Sequence, residues 1–181
     1  NTKAFTTAAL GILVDEGKLT WETKVIDIIP EFRLYNAYVT EDFNIRDLLC
    51  HRSGMGLGAG DLMSWPDSAR FTTSEIIHNL RYLKQTSPFR TKYDYDNMLY
   101  IVAGEVVARV SGQSWEEFVE SRIMKPLGMN ESSASIKRIK SRANIIDAHV
   151  PVNGKLQVVA KQEGKIHNSV GGIYSNASDL S

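Results

Sequence analysis

A chain of 181 residues is long enough for one domain, or most of one, with a sizeable core. Apolar residues make up 43% and charged residues 23%, and the 21 basic and 21 acidic side chains cancel, so neither a nucleic-acid-binding basic stripe nor a disordered acidic tail is indicated. The one cysteine, Cys50, excludes an internal disulfide, and no apolar run is long enough to span a membrane.

The chain opens inside an amphipathic pattern. Phe5, Ala9, Ile12 and Leu13 recur at helical spacing and predict a helix over residues 3–16, stopped by Gly17. Only Asn1 or Thr2 stands ready to cap it and no signal-peptide pattern precedes it, so the chain is expected to be an internal piece that enters this helix partway. Residues 18–44 read as loop, with short apolar pieces at 25–29 and 32–38, and a short helix is predicted over 45–50. The glycine-rich residues 51–60 read as a turn and a loop.

Thr72-Thr73-Ser74-Glu75 has the form of a capping box, in which hydroxyl and carboxylate satisfy each other's exposed amides, and Ile76, Ile77, Leu80 and Leu83 mark the helix face that follows. Residues 87–97, with Pro88, read as loop. Leu99, Val102, Ala103, Val106, Val107 and Val110 trace the clearest helix, ending near Gly112. A second capping box, Ser114-Trp115-Glu116-Glu117, opens a helix with Trp115, Phe118, Val119 and Ile123 inward, closed before Pro126 and Gly128. Residues 146–152 and 155–160 flank Asn153-Gly154, the strongest short hairpin signal. Asn176-Ala177-Ser178-Asp179 opens one more helix. With no repeat and no linker, the expected architecture is mainly α with a small β-hairpin, truncated at both ends.

Familiar cofactor motifs are missing. The four histidines, His51, His78, His149 and His167, form no HExxH pattern and no paired CxxC accompanies them, so no zinc site is predicted. Neither a dinucleotide-binding nor a P-loop motif occurs, and the run from Gly54 to Gly58 reads as a flexible surface loop. No cofactor is implied.

Two features carry possible chemistry: Asn1-Thr2-Lys3 at the helix start, and Tyr95-Asp96-Asn97 followed by Tyr100 and Gly104. Singly, each has an ordinary explanation. A lysine at a helix start is commonly a solvated charge, Tyr95 can pack as a ring beside an exposed Tyr93, and Asn97 stands at the N-cap position of the helix that begins at Met98.

Together and in register they resemble the family of class C β-lactamases, D-alanyl-D-alanine carboxypeptidases and serine esterases of the same fold. Lys3 matches the lysine of that family's Ser-x-x-Lys motif, with Asn1 and Thr2 in its two middle positions and the serine expected immediately before Asn1. Tyr95 and Asn97 match its Tyr-x-Asn motif. Leu10 to Leu19 is similar to the family's helix end, Leu48-Leu49-Cys50-His51-Arg52-Ser53-Gly54-Met55 to its Leu-Leu-x-His-x-Ser-Gly-Leu segment, and Pro126-Leu127-Gly128-Met129 to its Pro-Leu-Gly-Met. Gly171-Gly172, with Ser175 and Asp179 after it, resembles a further landmark.

The resemblance implies that residues 1–181 form the helical region of the α/β, β-lactamase/transpeptidase-like serine hydrolase fold, as a partial domain. It implies acyl-enzyme chemistry on β-lactams, D-Ala-D-Ala peptides or esters, with Lys3, Tyr95 and Asn97 as the catalytic residues and a parent protein working in the periplasm or elsewhere outside the cytoplasm. The chemistry of those residue types is coherent. A serine hydroxyl attacks only when a base takes its proton, and a lysine three residues later on a helix lies on the same face. That lysine serves as base itself or holds a tyrosine as phenolate, since a phenol ordinarily titrates near pH 10 and needs a neighbouring positive charge. Asn97 offers a donor and an acceptor, to a substrate amide or to Lys3.

Departures shape the remaining expectations. The nucleophilic serine and the family's third motif, a Lys-Thr-Gly or His-x-Gly strand, are not in the chain, so the isolated fragment is expected to be inactive and to self-associate through exposed Phe5 and Ile12. The alternatives are a catalytically dead relative that binds peptidoglycan peptides or another protein, and a plain helical interaction domain. His51 is expected to be a hydrogen-bonded structural residue, and Tyr100 and Trp115 core. Residues 57–70 and 167–172 are expected to line the substrate pocket.

Overall fold

Helix α1 (Thr2–Asp15) buries Thr6, Ala9, Leu10 and Leu13 along one stripe and ends as predicted, with Gly17 in the left-handed region at φ 69°. The computed structural model describes residues 1–65, 70–141, 143, 145–160 and 165–181, Lys165 by its backbone alone. Phe5 and Ile12 are half-buried and packed against the core, a correction to the exposure expected of them: neighbouring elements cover much of that side of α1.

Residues 18–44 are more ordered than their pattern suggests. α2 (Val25–Ile28) and α3 (Ala37–Asp42) form there, and Lys24 pairs with Asn44 in an isolated antiparallel bridge. The Asn36 side chain caps α3 by accepting from the amides of Tyr38 and Val39. α4 (Ile45–Leu49) is closed by a reciprocal box in which Asn44 and Asp47 each accept from the other's backbone amide. Asp47 is fully buried and bound by Arg52 and Arg90, which ties α4 to both ends of the segment 52–90.

The Gly54–Gly58 run is only partly the surface loop expected of it: its start is buried, while Leu57 is exposed. Ser53, Gly54 and Met55 are buried, Gly54 sits at φ 83°, and a Cβ there would lie 2.4 Å from the Ser87 carbonyl oxygen, so only glycine permits this approach. A 3₁₀ turn (Asp61–Met63) follows.

α5 (Thr73–Asn79) and α7 (Trp115–Val119) both start with the predicted capping boxes, Thr72 with Glu75 and Ser114 with Glu117. α5 passes into a 3₁₀ turn, Leu80–Tyr82, before Leu83, and α7 into a π-helical turn, Glu120–Met124. Between them α6 (Met98–Ser111) is the central element, packed by α1, α4, α5 and α7 and buried along Leu99, Val102, Ala103, Val106 and Val107. Burying each such side chain stabilises the fold by about 1.5–3 kcal/mol.

Strands β1 (Ala148–Val152) and β2 (Lys155–Val159) form the predicted antiparallel hairpin, Val152 opposite Lys155, through Asn153 at φ 50° and Gly154 at φ 75°. α8 (Asn168–Gly171) packs on α1 and α6, and α9 (Ala177–Leu180) is capped by Asn176. Among the described residues no helix is long and apolar enough to cross a membrane. The mainly helical architecture with one small hairpin matches the expected fold class.

Candidate active site

The first turn of α1 is pinned by the chain's last quarter. Thr6 Oγ1 donates to the Ser169 carbonyl at 2.7 Å, Ser169 Oγ donates to the Tyr100 carbonyl at 3.0 Å, and Thr2 Oγ1 accepts from the Ile173 amide at 3.2 Å. Gly104 makes this junction possible, because a Cβ on it would lie 2.6 Å from Ser169 Cβ and Oγ. α1, α6 and α8 therefore meet closely enough to fix the direction of Lys3.

Lys3 Nζ donates to Asn97 Oδ1 at 2.9 Å and to the Val170 carbonyl at 3.3 Å. It also lies over the Tyr95 ring, 4.7 Å from the centroid, and 5.3 Å from that of Tyr100. Lys3, Tyr95 and Asn97, chosen from the sequence, are thus neighbours in the folded molecule.

Asn97 departs from one expectation. It holds the N-cap position of α6, but its side chain makes no capping bond; Asp96 Oδ1 accepts from the Met98 amide at 2.8 Å instead. The amide of Asn97 is thereby free to turn inward, its oxygen to Lys3 and its nitrogen to the Asp61 carboxylate at 3.2 and 3.4 Å. Asp61 carried no motif in the sequence, and its contact with Asn97 is seen only in the folded chain.

His51 organises the loop that carries Tyr95. Its Nδ1 accepts from the Asp96 amide at 3.1 Å, its carbonyl accepts from the Asp94 amide at 2.8 Å, and its ring stacks 4.6 Å from that of Tyr95. Burial, and then the Lys3 charge, push the His51 pKa down, consistent with an imidazole that accepts at Nδ1 and stays neutral. It is the structural histidine expected. Tyr95 is 37% exposed against 66% for Tyr93, and its carbonyl accepts from the Gly58 amide at 2.8 Å. Tyr100 and Trp115 are core, Tyr100 donating its hydroxyl to the Leu49 carbonyl at 3.1 Å.

Asp96 is fully buried, and among the described residues its Oδ2 has no hydrogen-bond partner. Burial, reinforced by the Asp61 charge, pushes its carboxyl up to about 7 against the pull of the Met98 amide.

A cavity of about 640 Å³ opens beside Asn97, walled by Trp65, His167, Val170, Gly172 and Tyr174, with Ala148 and Val159 of the hairpin on its rim. Both predicted lining segments contribute, though residues 66–69 of the first lie outside the described residues. His167 Nε2 lies 2.7 Å from the Ser64 carbonyl and links the two walls. A second cavity of about 740 Å³, lined by Glu117, Met124 and Arg138 among others, includes none of Lys3, Tyr95 and Asn97. Among the described residues no cluster of histidine, cysteine, aspartate and glutamate is arranged to hold a metal ion.

The comparisons with known proteins bear on the fold and the family. The Beta-lactamase family model matches residues 1–181. The unguisins hydrolase of Aspergillus campestris is 33% identical over 145 residues, covering 75% of this chain and 26% of that protein. The octameric penicillin-binding protein homologue from Pyrococcus abyssi superposes with a TM-score of 0.77 at 25% identity, covering 99% of this chain and 41% of the other. A D-stereospecific amidohydrolase from a Streptomyces species shares the fold, with a TM-score of 0.80 at 22% identity over 99% of this chain and 56% of the other. The chain therefore spans about a quarter to a half of the length of the proteins it matches.

Proposed function

The chain belongs to the beta-lactamase family, and from that premise we propose that it supplies the proton-handling side of a serine hydrolase site that works through an acyl-enzyme. The observation that carries this reading is Lys3 Nζ lying over the Tyr95 ring and bonded to Asn97, which lines an open cavity.

The nucleophile is the serine that the family pattern puts one position before Asn1. Its oxygen attacks the substrate carbonyl while its proton passes to a base. As a neutral amine, Lys3 has two N–H groups for Asn97 and Val170 and a lone pair for that proton. Alternatively Tyr95, whose ring lies against Lys3 Nζ, is the group that takes the proton. Collapse of the tetrahedral adduct breaks the bond to the leaving nitrogen or oxygen, which receives the proton, and leaves an ester on the serine. Water then attacks the ester, gives its proton to the same base and restores the hydroxyl.

Substrates are β-lactams, D-Ala-D-Ala peptides or simple esters, and the Asn97 amide holds a substrate carbonyl beside the reacting atom. Residues 1–181 alone, without the serine of the first motif and without the third motif, should not turn over. The test is hydrolysis of nitrocefin and p-nitrophenyl acetate by the full-length protein and its Lys3→Met and Tyr95→Phe variants. Either variant should lower kcat about 100- to 10,000-fold without unfolding the protein. Wild-type rates in both variants would refute the reading.

A further inference from the structure

The segment from Tyr95 to Asn97 is held by a loop that takes no part in the chemistry described above. The Gly58 amide donates to the Tyr95 carbonyl at 2.8 Å, and three residues later the Asp61 carboxylate accepts from Asn97 Nδ2 at 3.2 and 3.4 Å. The two holds belong to one unit. The Asp61 amide donates to the Gly58 carbonyl at 3.1 Å, and the Asp61 carbonyl accepts from the Ser64 and Trp65 amides at 3.0 and 2.9 Å. A Cβ on Gly60 would lie 2.9 Å from Met98 Cγ, so the loop is seated directly on the first turn of α6.

An asparagine amide has nearly the same shape in its two orientations, and its partners choose between them. Among the described residues the Asn97 side chain bonds to Lys3 and Asp61 and makes no capping bond. An ionised Asp61 only accepts, and Lys3 Nζ donates to Asn97 Oδ1. In the observed orientation both contacts are hydrogen bonds. Turned over, the amide would set its oxygen against a carboxylate and its N–H groups against those of Lys3, and both contacts would be lost. The choice reaches Lys3, because Asn97 Oδ1 and the Val170 carbonyl are the two acceptors that fix where Nζ points.

We infer that Asp61 is a positioning residue for the proposed hydrolysis: it locks the Asn97 amide with its oxygen toward Lys3 and so sets the direction of Lys3 Nζ. The inference rests on the acyl-enzyme reading, in which that nitrogen stands beside the serine's proton. Asp61 needs no contact with substrate for this, since it acts through Asn97 alone. A carboxylate suits the task because it has no donor to offer a turned-over amide oxygen, and a bond to an ionised acceptor is the stronger kind. A neutral amide at position 61 both donates and accepts, and would admit either orientation of Asn97.

The experiment measures kcat and KM for p-nitrophenyl acetate in the full-length protein. It compares wild type, Asp61→Leu, Asp61→Asn, Asn97→Asp and the double variant Asp61→Asn/Asn97→Asp, with thermal unfolding as the check on folding. Asp61→Leu removes the acceptor and should lower kcat about 10-fold, with KM within about threefold of wild type. Asp61→Asn alone should lower kcat about threefold. Asn97→Asp sets two carboxylates against each other and should lose about 100-fold. In that background Asp61→Asn should change sign and restore about 10-fold. The contact then reforms in reverse: the new amide at 61 donates to the carboxylate at 97, whose other oxygen still accepts from Lys3. A purely structural role would give the same loss in both backgrounds. That outcome, or wild-type kcat in a folded Asp61→Leu, overturns the inference and leaves the hydrolase reading intact. The reversal uses near-isosteric side chains, so it decides the matter even if Asp61→Leu does not fold. A wild-type protein that hydrolyses neither this ester nor nitrocefin overturns both.

Discussion

The Lys3 ammonium lies 2.9 Å from the side-chain oxygen of Asn97 across 94 residues of sequence. Two local devices make the meeting possible. Asp96 takes over the capping of α6 and releases the Asn97 amide, while the Thr6–Ser169–Tyr100 chain of hydrogen bonds clamps the first turn of α1 to α6 and α8.

Removing the far end of this contact tests its role. Asn97→Ala should lower kcat/KM about 100-fold in the full-length protein while leaving the helical circular dichroism unchanged, because α6 keeps its Asp96 cap. Activity within threefold of wild type would show that the contact is incidental.

The helix junction should be intolerant of a single methyl group. Gly104→Ala puts a Cβ 2.6 Å from Ser169 and should cost about 1–3 kcal/mol, with a parallel loss of activity as Val170 moves off Lys3. Gly112→Ala, at φ 72° but with no atom within 4 Å of the added Cβ, should cost about 1 kcal/mol and leave turnover alone. Denaturant unfolding and ester hydrolysis on both variants separate the two effects; equal behaviour of the two would contradict the junction's role.

Asp96 makes a pH prediction with a definite sign. Its carboxyl is raised to about 7 in the fold from an ordinary value of 3.8, so the native state binds the proton more tightly than the unfolded chain. The stability this contributes is complete below about pH 4 and is lost as pH rises through about 7. Asp96→Asn keeps an acceptor for the Met98 amide and carries no charge. Thermal midpoints measured from pH 5 to 8.5 should decline less steeply in the variant, the difference amounting to on the order of 1–3 kcal/mol across the range. Parallel curves would mean that Asp96 is ionised throughout.

Local signals were legible where the physics is local. Two capping boxes, the apolar stripes of α1 and α6 and the Asn153-Gly154 turn each act within a few residues, and all form as read. α2 and α3 were missed because four- and six-residue helices are too short to build a period. The tightness of the loop at Gly54 depends on Ser87, more than thirty residues away, and no pattern around Gly54 announces it. Lys3, Tyr95 and Asn97 emerged only from motif spacing and resemblance, since a lysine, a tyrosine and an asparagine have nothing unusual about them singly. Asp61 stayed hidden because its meaning lies in a side-chain contact made through tertiary packing. Asp96 and Asn97 were equally good caps by residue type; the pull of Lys3 and Asp61 on Asn97 decides between them.

The most direct measurement is intact-protein and peptide mass spectrometry of the full-length protein after brief exposure to a β-lactam and to a fluorophosphonate. The account predicts a covalent adduct on the serine one residue before Asn1 and its loss, or at least a 100-fold slower appearance, in Lys3→Met. An adduct on another residue, no adduct with either reagent, or labelling at the wild-type rate without Lys3 would contradict it.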